Sequence, residues 1–124
     1  RGLAACGARV AVAARDTTSL QRVAGDIRAS GGIAEVVTMD VSDVASIRAG
    51  VADAAARLGG LDVLVNNAGV EQVCPSLEVD ESLWDRIVDT NLKGAFFCAQ
   101  AAARVMRDRR QAGAIINLCS LTSE

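Results

Sequence analysis

The segment Leu61–Gly69, LDVLVNNAG, carries the most specific signal in the sequence. It opens with a short apolar run to Asn66, which predicts a buried strand, and it ends with two amides, an alanine and a glycine. The amides offer hydrogen-bond donors and acceptors, while Gly69 permits a positive φ and the close approach of another group. Because such clusters also form ordinary turns, these residues alone leave a ligand site and a polar turn equally open.

Three further apolar runs predict strands, and the amphipathic segments between them predict helices. Strands rich in Val, Ile and Leu that alternate with helices indicate an α/β fold. We therefore expect a doubly wound parallel sheet with helices on both faces. The other predicted strands are Arg9–Ala14, Ile33–Met39 and Ala114–Cys119, and the predicted helices are Thr17–Ser30, one capped by Ser42 that ends near Leu58, and one from Asp80 to about Arg107.

Polar or glycine-rich residues follow all four predicted strands. They are Arg15 with Asp16, Asp40 with Val41, the Asn-Asn-Ala-Gly segment, and Ser120. Doubly wound sheets bind their ligands beyond the carboxyl ends of the strands. The sequence therefore predicts a ligand site at this edge of the sheet. We expect Glu71, Gln72 and Ser76, in the loop that follows, to be solvated, and contact with substrate is the alternative.

The composition excludes several classes of protein. The chain has 124 residues and a net charge of −2, which suits one globular domain and gives no basic excess for nucleic-acid binding. No apolar run reaches the roughly 20 residues of a membrane-spanning helix. The sequence has no histidine and its four cysteines are not paired in spacing, so we expect no zinc site and interpret the cysteines as reduced, buried residues of a cytoplasmic protein.

Five segments together resemble the short-chain dehydrogenase/reductase family. Their order and spacing match the family over essentially the whole chain. The resemblance implies that residues 1–124 form one partial NAD(P)-binding domain of the Rossmann type, truncated at both ends. The segments are VAVAARD at Val10–Asp16, MDVSD at Met39–Asp43, LDVLVNNAG at Leu61–Gly69, DTNLKGAFF at Asp89–Phe97 and AIINLCSLTS at Ala114–Ser123.

The resemblance implies that the first two strands end beside a dinucleotide. Asp40 would hydrogen-bond the adenine amino group, with Val41 against the ring, although a helix-capping role for Asp40 is also open. Arg15 suits the ribose 2′-phosphate of NADP, whereas NAD enzymes place an acidic group near that position, where Ala14 stands here. NADP is therefore preferred over NAD, and a surface turn formed by Arg15 and Asp16 is the alternative.

The Asn-Asn-Ala-Gly segment would contact the same cofactor. By the resemblance, Asn66, Ala68 and Gly69 line the cofactor, and Asn67 ties neighbouring strands together. A purely structural role for Asn67 is compatible with this assignment.

Two residues are implied to act in catalysis. Asn91 lies mid-helix on the inward face, where an amide needs partners. The matching family residue opens the helix slightly and holds a water that leads to the catalytic lysine; a buried Asn tied to a carbonyl is the alternative. Ser120 would donate to the substrate carbonyl oxygen, unless it only bonds its own turn, and Cys119 departs from the Ser that often precedes it.

Other family features do not occur in this sequence. The glycine-rich phosphate loop would precede Arg1, the catalytic Tyr and Lys would follow Ser120, and the chain contains no Tyr. The strand that normally separates Arg9–Ala14 from Leu61–Asn66 is also missing, which would expose two sheet edges. We therefore expect the piece alone to be marginally stable or to aggregate.

The function implied by the resemblance is oxidoreduction. The parent protein would interconvert a secondary alcohol and a ketone by hydride transfer, like sugar-acid or glucose dehydrogenases or 3-oxoacyl-carrier-protein reductases. It would act on a small molecule as a homodimer or homotetramer that pairs through the helix Asp80–Arg107. A catalytically dead dinucleotide-binding regulator or scaffold of the same fold is the alternative.

Overall fold

The computed structural model describes residues 1–119, in which helices and strands alternate along the chain. This order confirms the predicted α/β pattern, although the third and fourth strands are shorter than expected. The strands are β1 (Arg9–Ala14), β2 (Ile33–Thr38), β3 (Val63–Asn66) and β4 (Ala114–Asn117). The helices are α1 (Gly2–Ala5), α2 (Thr17–Ala29), α3 (Val44–Leu58), α4 (Glu81–Val88) and α5 (Ala95–Asp108), with a 3-10 turn at Ser76–Glu78 and a π turn at Asp89–Gly94.

The strands pair in parallel as two separate sheets. Strand β1 pairs with β2, and β3 pairs with β4, so that Asn66 lies opposite Asn117. Strands β1 and β3 do not pair with each other, which agrees with the expected gap of one strand between them. The incomplete parallel sheet of the sequence prediction is therefore confirmed.

Helices cover the β1–β2 sheet on both faces. Ala34 and Val36 of β2 pack in one cluster with Ala24 and Ile27 of α2. Val37 points to the opposite face because side chains alternate along a strand, and it is only 2% exposed. Helix α3 contacts both β1 and β2, so it supplies the cover on that second face.

The larger core lies between α3, α5 and β3. It is built from small and medium side chains, so it depends on close packing rather than on bulky aromatic residues. Of the four cysteines, Cys98 is buried there and burial raises its thiol pKa. Cys6 and Cys119 are exposed, so the expectation of buried cysteines was wrong for them. The buried members are Ile47, Val51, Ala55, Leu61, Cys98, Ala102 and Met106.

The N-terminus of α3 is capped by Asp43, not by Ser42 as expected. Asp43 Oδ1 accepts from the amide of Ala45 at 3.0 Å, and Oδ2 accepts from the amide of Ser46 at 3.2 Å. A carboxylate can satisfy two unpaired amides of the first turn at once and also suits the helix dipole. Ser42 lies one residue too early and binds Asp40 instead.

The long predicted helix from Asp80 to Arg107 is present, but it is not uniform. The π turn Asp89–Gly94 interrupts it between α4 and α5. Gly94 is buried, and a Cβ placed there would lie 2.5 Å from the carbonyl oxygen of Val41. Glycine therefore lets the π turn approach the loop after β2. Within residues 1–119, no helix has the length and hydropathy needed to cross a membrane.

Candidate functional site

The end of β1 and the end of β2 carry opposite charges. Arg15 Nη1 lies 3.9 Å from Asp40 Oδ2, and the two side chains are 73% and 37% exposed. At that distance the contact is an ion pair without a hydrogen bond. The structure therefore brings together the two residues that the sequence assigned to the 2′-phosphate and the adenine.

Ser42 fixes the orientation of the Asp40 carboxylate. Asp40 Oδ1 accepts from the Ser42 amide at 2.9 Å and from the Ser42 hydroxyl at 2.7 Å. These two hydrogen bonds, with a smaller contribution from the charge of Arg15, lower the pKa of Asp40. Asp40 is therefore ionised at neutral pH, with Oδ2 turned toward Arg15, and it does not cap α3.

Val41 and Asp16, which follow Asp40 and Arg15 in the sequence, also stabilise the fold. Val41 is half-buried against the larger core, so much of its side chain is already in contact with protein. Asp16 caps α2, with Oδ1 accepting from the Thr18 amide at 3.0 Å. The carboxylate that follows Arg15 is therefore committed to a helix N-terminus.

At the end of β3, the amide that ties the strands together is Asn66. Its Nδ2 donates to the Asn117 side chain on β4 at 2.9 Å and to the Ala95 carbonyl at the start of α5 at 3.0 Å. The expectation that Asn67 does this was wrong, because successive side chains along a strand point to opposite sides. Asn67 is exposed and lines a cleft instead.

Asn91 binds the main chain just after the Asn-Asn-Ala-Gly segment. Its Oδ1 accepts from the Val70 amide at 2.8 Å, and its Nδ2 donates to the Val70 carbonyl at 2.9 Å. Asn91 lies within the π turn, where the helix is widened, as the resemblance implied. It is exposed rather than inward, because its partner is a loop at the edge of the sheet.

Gly69 does not need its conformational freedom. The left-handed φ values of the described glycines are elsewhere, at Gly7, Gly31, Gly59 and Gly60, so Gly69 does not use the positive φ that glycine permits. A Cβ on Gly69 would lie 3.5 Å from Asn91 Oδ1, which is an ordinary contact. Its small size instead leaves room beside the Asn91 amide.

An open cleft of about 640 Å³ lies beside the Asn-Asn-Ala-Gly segment. Three predicted site residues, Ala68, Gly69 and Asn91, line it together. Arg15, Asp40, Val41 and Asn66 do not line it, and Ser120 lies outside the described residues. The lining residues are 67–72, Ile87, Asn91, Leu118 and Cys119.

Sequence reasoning left a contact of Glu71 and Gln72 with substrate open, and it did not anticipate the contact made by Arg86. Glu71 and Gln72 are exposed as expected, but they also border the cleft, and Arg86 donates a hydrogen bond to the Gln72 amide oxygen. Gly94 was not singled out either. Its position three residues after Asn91, inside a helical pattern, was the available signal, since an interior glycine often marks a close approach.

The π turn connects the two halves of this edge. Gly94 abuts the Val41 carbonyl after β2, and Asn91 binds the loop after β3. The carboxyl ends of β2 and β3 are therefore held by one short segment, although the strands belong to different sheets.

Comparison with known proteins identifies the family. The family model described as short chain dehydrogenase matches residues 1–124. The chain belongs to this family. It is 37% identical over 124 residues to the gluconate 5-dehydrogenase of Gluconobacter oxydans, covering 100% of this chain and 48% of that protein. It is 39% identical over 101 residues to the 3-oxoacyl-acyl-carrier-protein reductase FabG of Staphylococcus aureus, covering 82% of this chain and 41% of that protein.

Solved structures of the family superpose closely on the chain. A Sinorhizobium meliloti 1021 protein, provisionally described as a short-chain alcohol dehydrogenase, is 56% identical with a TM-score of 0.92, covering 97% of this chain and 47% of that one. A gluconate 5-dehydrogenase from Burkholderia cenocepacia J2315, solved with NADP and tartrate, is 38% identical with a TM-score of 0.88, covering 97% and 47%. The chain thus spans about half the length of the relatives it matches.

Proposed function

We propose that the natural protein containing this chain is an NAD(P)-dependent oxidoreductase that interconverts a secondary alcohol and a ketone, and that it prefers NADP. Residues 1–124 would form part of its single NAD(P)-binding domain. The observation that carries the proposal is the π turn, which joins the Val41 carbonyl after β2 to the Asn91-bound loop after β3. A site at the carboxyl ends of parallel strands is where this class of fold binds dinucleotides.

The named relatives support this class of reaction. Besides gluconate 5-dehydrogenase and 3-oxoacyl-acyl-carrier-protein reductase, they include a galactitol 2-dehydrogenase of Agrobacterium fabrum and a sorbitol dehydrogenase of Cereibacter sphaeroides. All four names describe the oxidation of an alcohol or the reduction of a ketone. The substrate would therefore be a small molecule with a secondary hydroxyl or a carbonyl group.

The charged pair after β1 and β2 fits an adenosine carrying a 2′-phosphate. The Arg15 guanidinium is largely exposed and makes no hydrogen bond to Asp40, so its N–H donors toward Asp40 are available to phosphate oxygens. Asp40 Oδ2 is an acceptor for the adenine amino group, with Val41 beside the ring. Solved relatives have been crystallised with NADP or NADPH, which favours the same preference here.

The cleft fits the remainder of a dinucleotide and a small substrate. Ala68 and Gly69 present little side chain to it, which allows a ligand to approach the main chain. Asn66 would contribute through its main chain or its amide oxygen, because its Nδ2 already donates to two carbonyl-type oxygens.

Bound in this cleft, the nicotinamide would donate or accept the hydride. Ser120 follows Cys119, which lines the cleft, and we assign to its hydroxyl a hydrogen bond to the carbonyl oxygen of the substrate, where negative charge develops. Asn91 holds the cleft wall through Val70. Its role in retaining a relay water remains a prediction from the family.

The long helix supports self-association. Trp84, Val88, Leu92 and Phe96 recur every four residues along α4, the π turn and the start of α5, and all but the half-buried Val88 are exposed. A stripe of large apolar side chains on one helix face is suited to pair with a second copy of itself. We therefore propose a homodimer or homotetramer. We also propose that the protein is located in the cytoplasm.

Turnover of a ketone by the natural gene product tests the proposal. NADPH is mixed with a panel of a keto-sugar acid, a ketose and a 3-oxoacyl thioester, and the loss of its near-ultraviolet absorbance is followed. We expect NADPH oxidation with at least one ketone, a strong loss in Ser120→Ala and none in Ser30→Ala, a serine at the end of α2. NADPH binding without turnover of any ketone would instead favour a dinucleotide-binding regulator.

A further inference from the structure

The ion pair of Arg15 and Asp40 places a negative charge where the proposed cofactor would bring another. Asp40 Oδ2 lies 3.9 Å from the guanidinium that would hold the 2′-phosphate. Asp40 cannot turn away freely, because Oδ1 is held by two hydrogen bonds from Ser42. A phosphate that reaches Arg15 must therefore compete with a carboxylate that the fold keeps in place.

The strength of this competition follows from exposure. Both side chains are more than a third exposed, and an exposed pair of this kind shifts an equilibrium by at most about fivefold because water screens it. A doubly charged phosphate can therefore displace Asp40 from Arg15. The phosphate therefore gains less from Arg15 than it would from an unpaired guanidinium, because the contact with Asp40 must be given up.

We infer that Asp40 is a built-in counter-ion of Arg15 that limits the preference of this protein for 2′-phosphorylated over unphosphorylated dinucleotides. The inference rests on the proposed dinucleotide site and adds a specificity-determining role for a carboxylate that would also contact adenine. The same pair would allow one site to bind both cofactors. Arg15 attracts the phosphorylated form, while Asp40 reduces that advantage and, by neutralising Arg15, suits the unphosphorylated ribose.

Equilibrium binding of two adenosine nucleotides tests this role. Adenosine 2′,5′-bisphosphate and adenosine 5′-monophosphate differ only by the 2′-phosphate, and calorimetry on the natural gene product gives their two dissociation constants. Asp40→Asn removes the charge but keeps an oxygen that can accept from Ser42. Any loss at the adenine affects both nucleotides and cancels in their ratio.

We expect Asp40→Asn to raise the preference for the bisphosphate about twofold to fivefold in low salt, and less in high salt because ions screen the charges. Asp43→Asn is the matched control, since this carboxylate caps α3 in the same turn and should leave the ratio unchanged. In an Arg15→Ala background, the effect of Asp40→Asn should shrink, because there is no guanidinium left to neutralise.

The outcomes separate the two proposals. If the wild-type protein binds neither nucleotide, the dinucleotide site itself is refuted. If it binds both and Asp40→Asn leaves the ratio unchanged, or lowers it, only the counter-ion role is overturned. An equal effect with and without Arg15 would likewise overturn it, since Asp40 would then act on the phosphate directly.

Discussion

Replacing Gly94 by alanine should destabilise the protein, although alanine is the better helix former. The added Cβ would lie 2.5 Å from the Val41 carbonyl oxygen and 3.2 Å from the Asp89 carbonyl oxygen. Both obstacles are main-chain atoms, so the π turn and the loop after β2 must move apart. Relieving such overpacking costs roughly 1–3 kcal/mol, and main-chain obstacles place this case in the upper part of that range.

Helix propensity opposes this cost. A change from glycine to alanine inside a helix gains about 1 kcal/mol, so the net destabilisation of Gly94→Ala is about 1–2 kcal/mol. Gly25→Ala is the matched control, because Gly25 lies within α2 and a Cβ there meets nothing within 4 Å. That variant should be stabilised by about 0.5–1 kcal/mol.

Urea unfolding of the natural gene product, followed by circular dichroism, measures both variants. The free energies of unfolding of the two variants should differ by about 1.5–3 kcal/mol, and their changes relative to wild type should have opposite signs. Equal stability of the Gly94 and Gly25 variants would refute the close approach of the π turn to Val41.

Two further substitutions test the edge of the sheet, and a third tests the N-terminal cap of α4. Asn66→Ala removes two hydrogen bonds and should lower the free energy of unfolding by about 2 kcal/mol. Asn67→Ala, at an exposed amide, should change that free energy little. Equal effects of the two substitutions would contradict the role of Asn66 in linking β3 to β4. Asn91→Ala removes both hydrogen bonds to the loop after β3 and should raise the hydrogen-exchange rate of the loop amides at least about tenfold. Unchanged exchange rates would contradict the role of Asn91 in holding this loop. Hydrogen bonds from Leu83 and Ser82 lower the pKa of Asp80 below the ordinary 3.8, so the carboxylate stabilises the fold above pH 3.8 and this contribution is lost as the pH falls further. Asp80→Asn should therefore reduce the decrease of the free energy of unfolding at acidic pH. An unchanged decrease in urea midpoints measured against pH would argue against this.

Much of the fold could be predicted from local patterns. Runs of Val and Ile bounded by glycines mark the strands, and all four were located because a buried parallel strand has few polar positions. The gap between β1 and β3 was expected from the family resemblance, and the unpaired strands agree with it.

The errors arise where tertiary contacts decide between similar residues. Ser42 and Asp43 are both good caps, and only the place where β2 ends determines that Asp43 begins α3. Asn66 is the last residue of β3 and Asn67 is the first residue beyond it, so the sequence pattern alone does not decide which of the two amides links β3 to β4. Trp84 is a large apolar residue of α4 but is 62% exposed, and residues 1–119 place nothing over it.

Binding of NADPH and NADH to the natural gene product, with and without Arg15→Ala, tests the central claim most directly. The account predicts that Arg15→Ala weakens NADPH binding about tenfold or more, because charge-assisted hydrogen bonds to the 2′-phosphate are lost, and changes NADH binding little. Arg48→Ala, on an exposed position of α3, should alter neither. Unchanged NADPH affinity in Arg15→Ala, or an equal loss for both nucleotides, would contradict it.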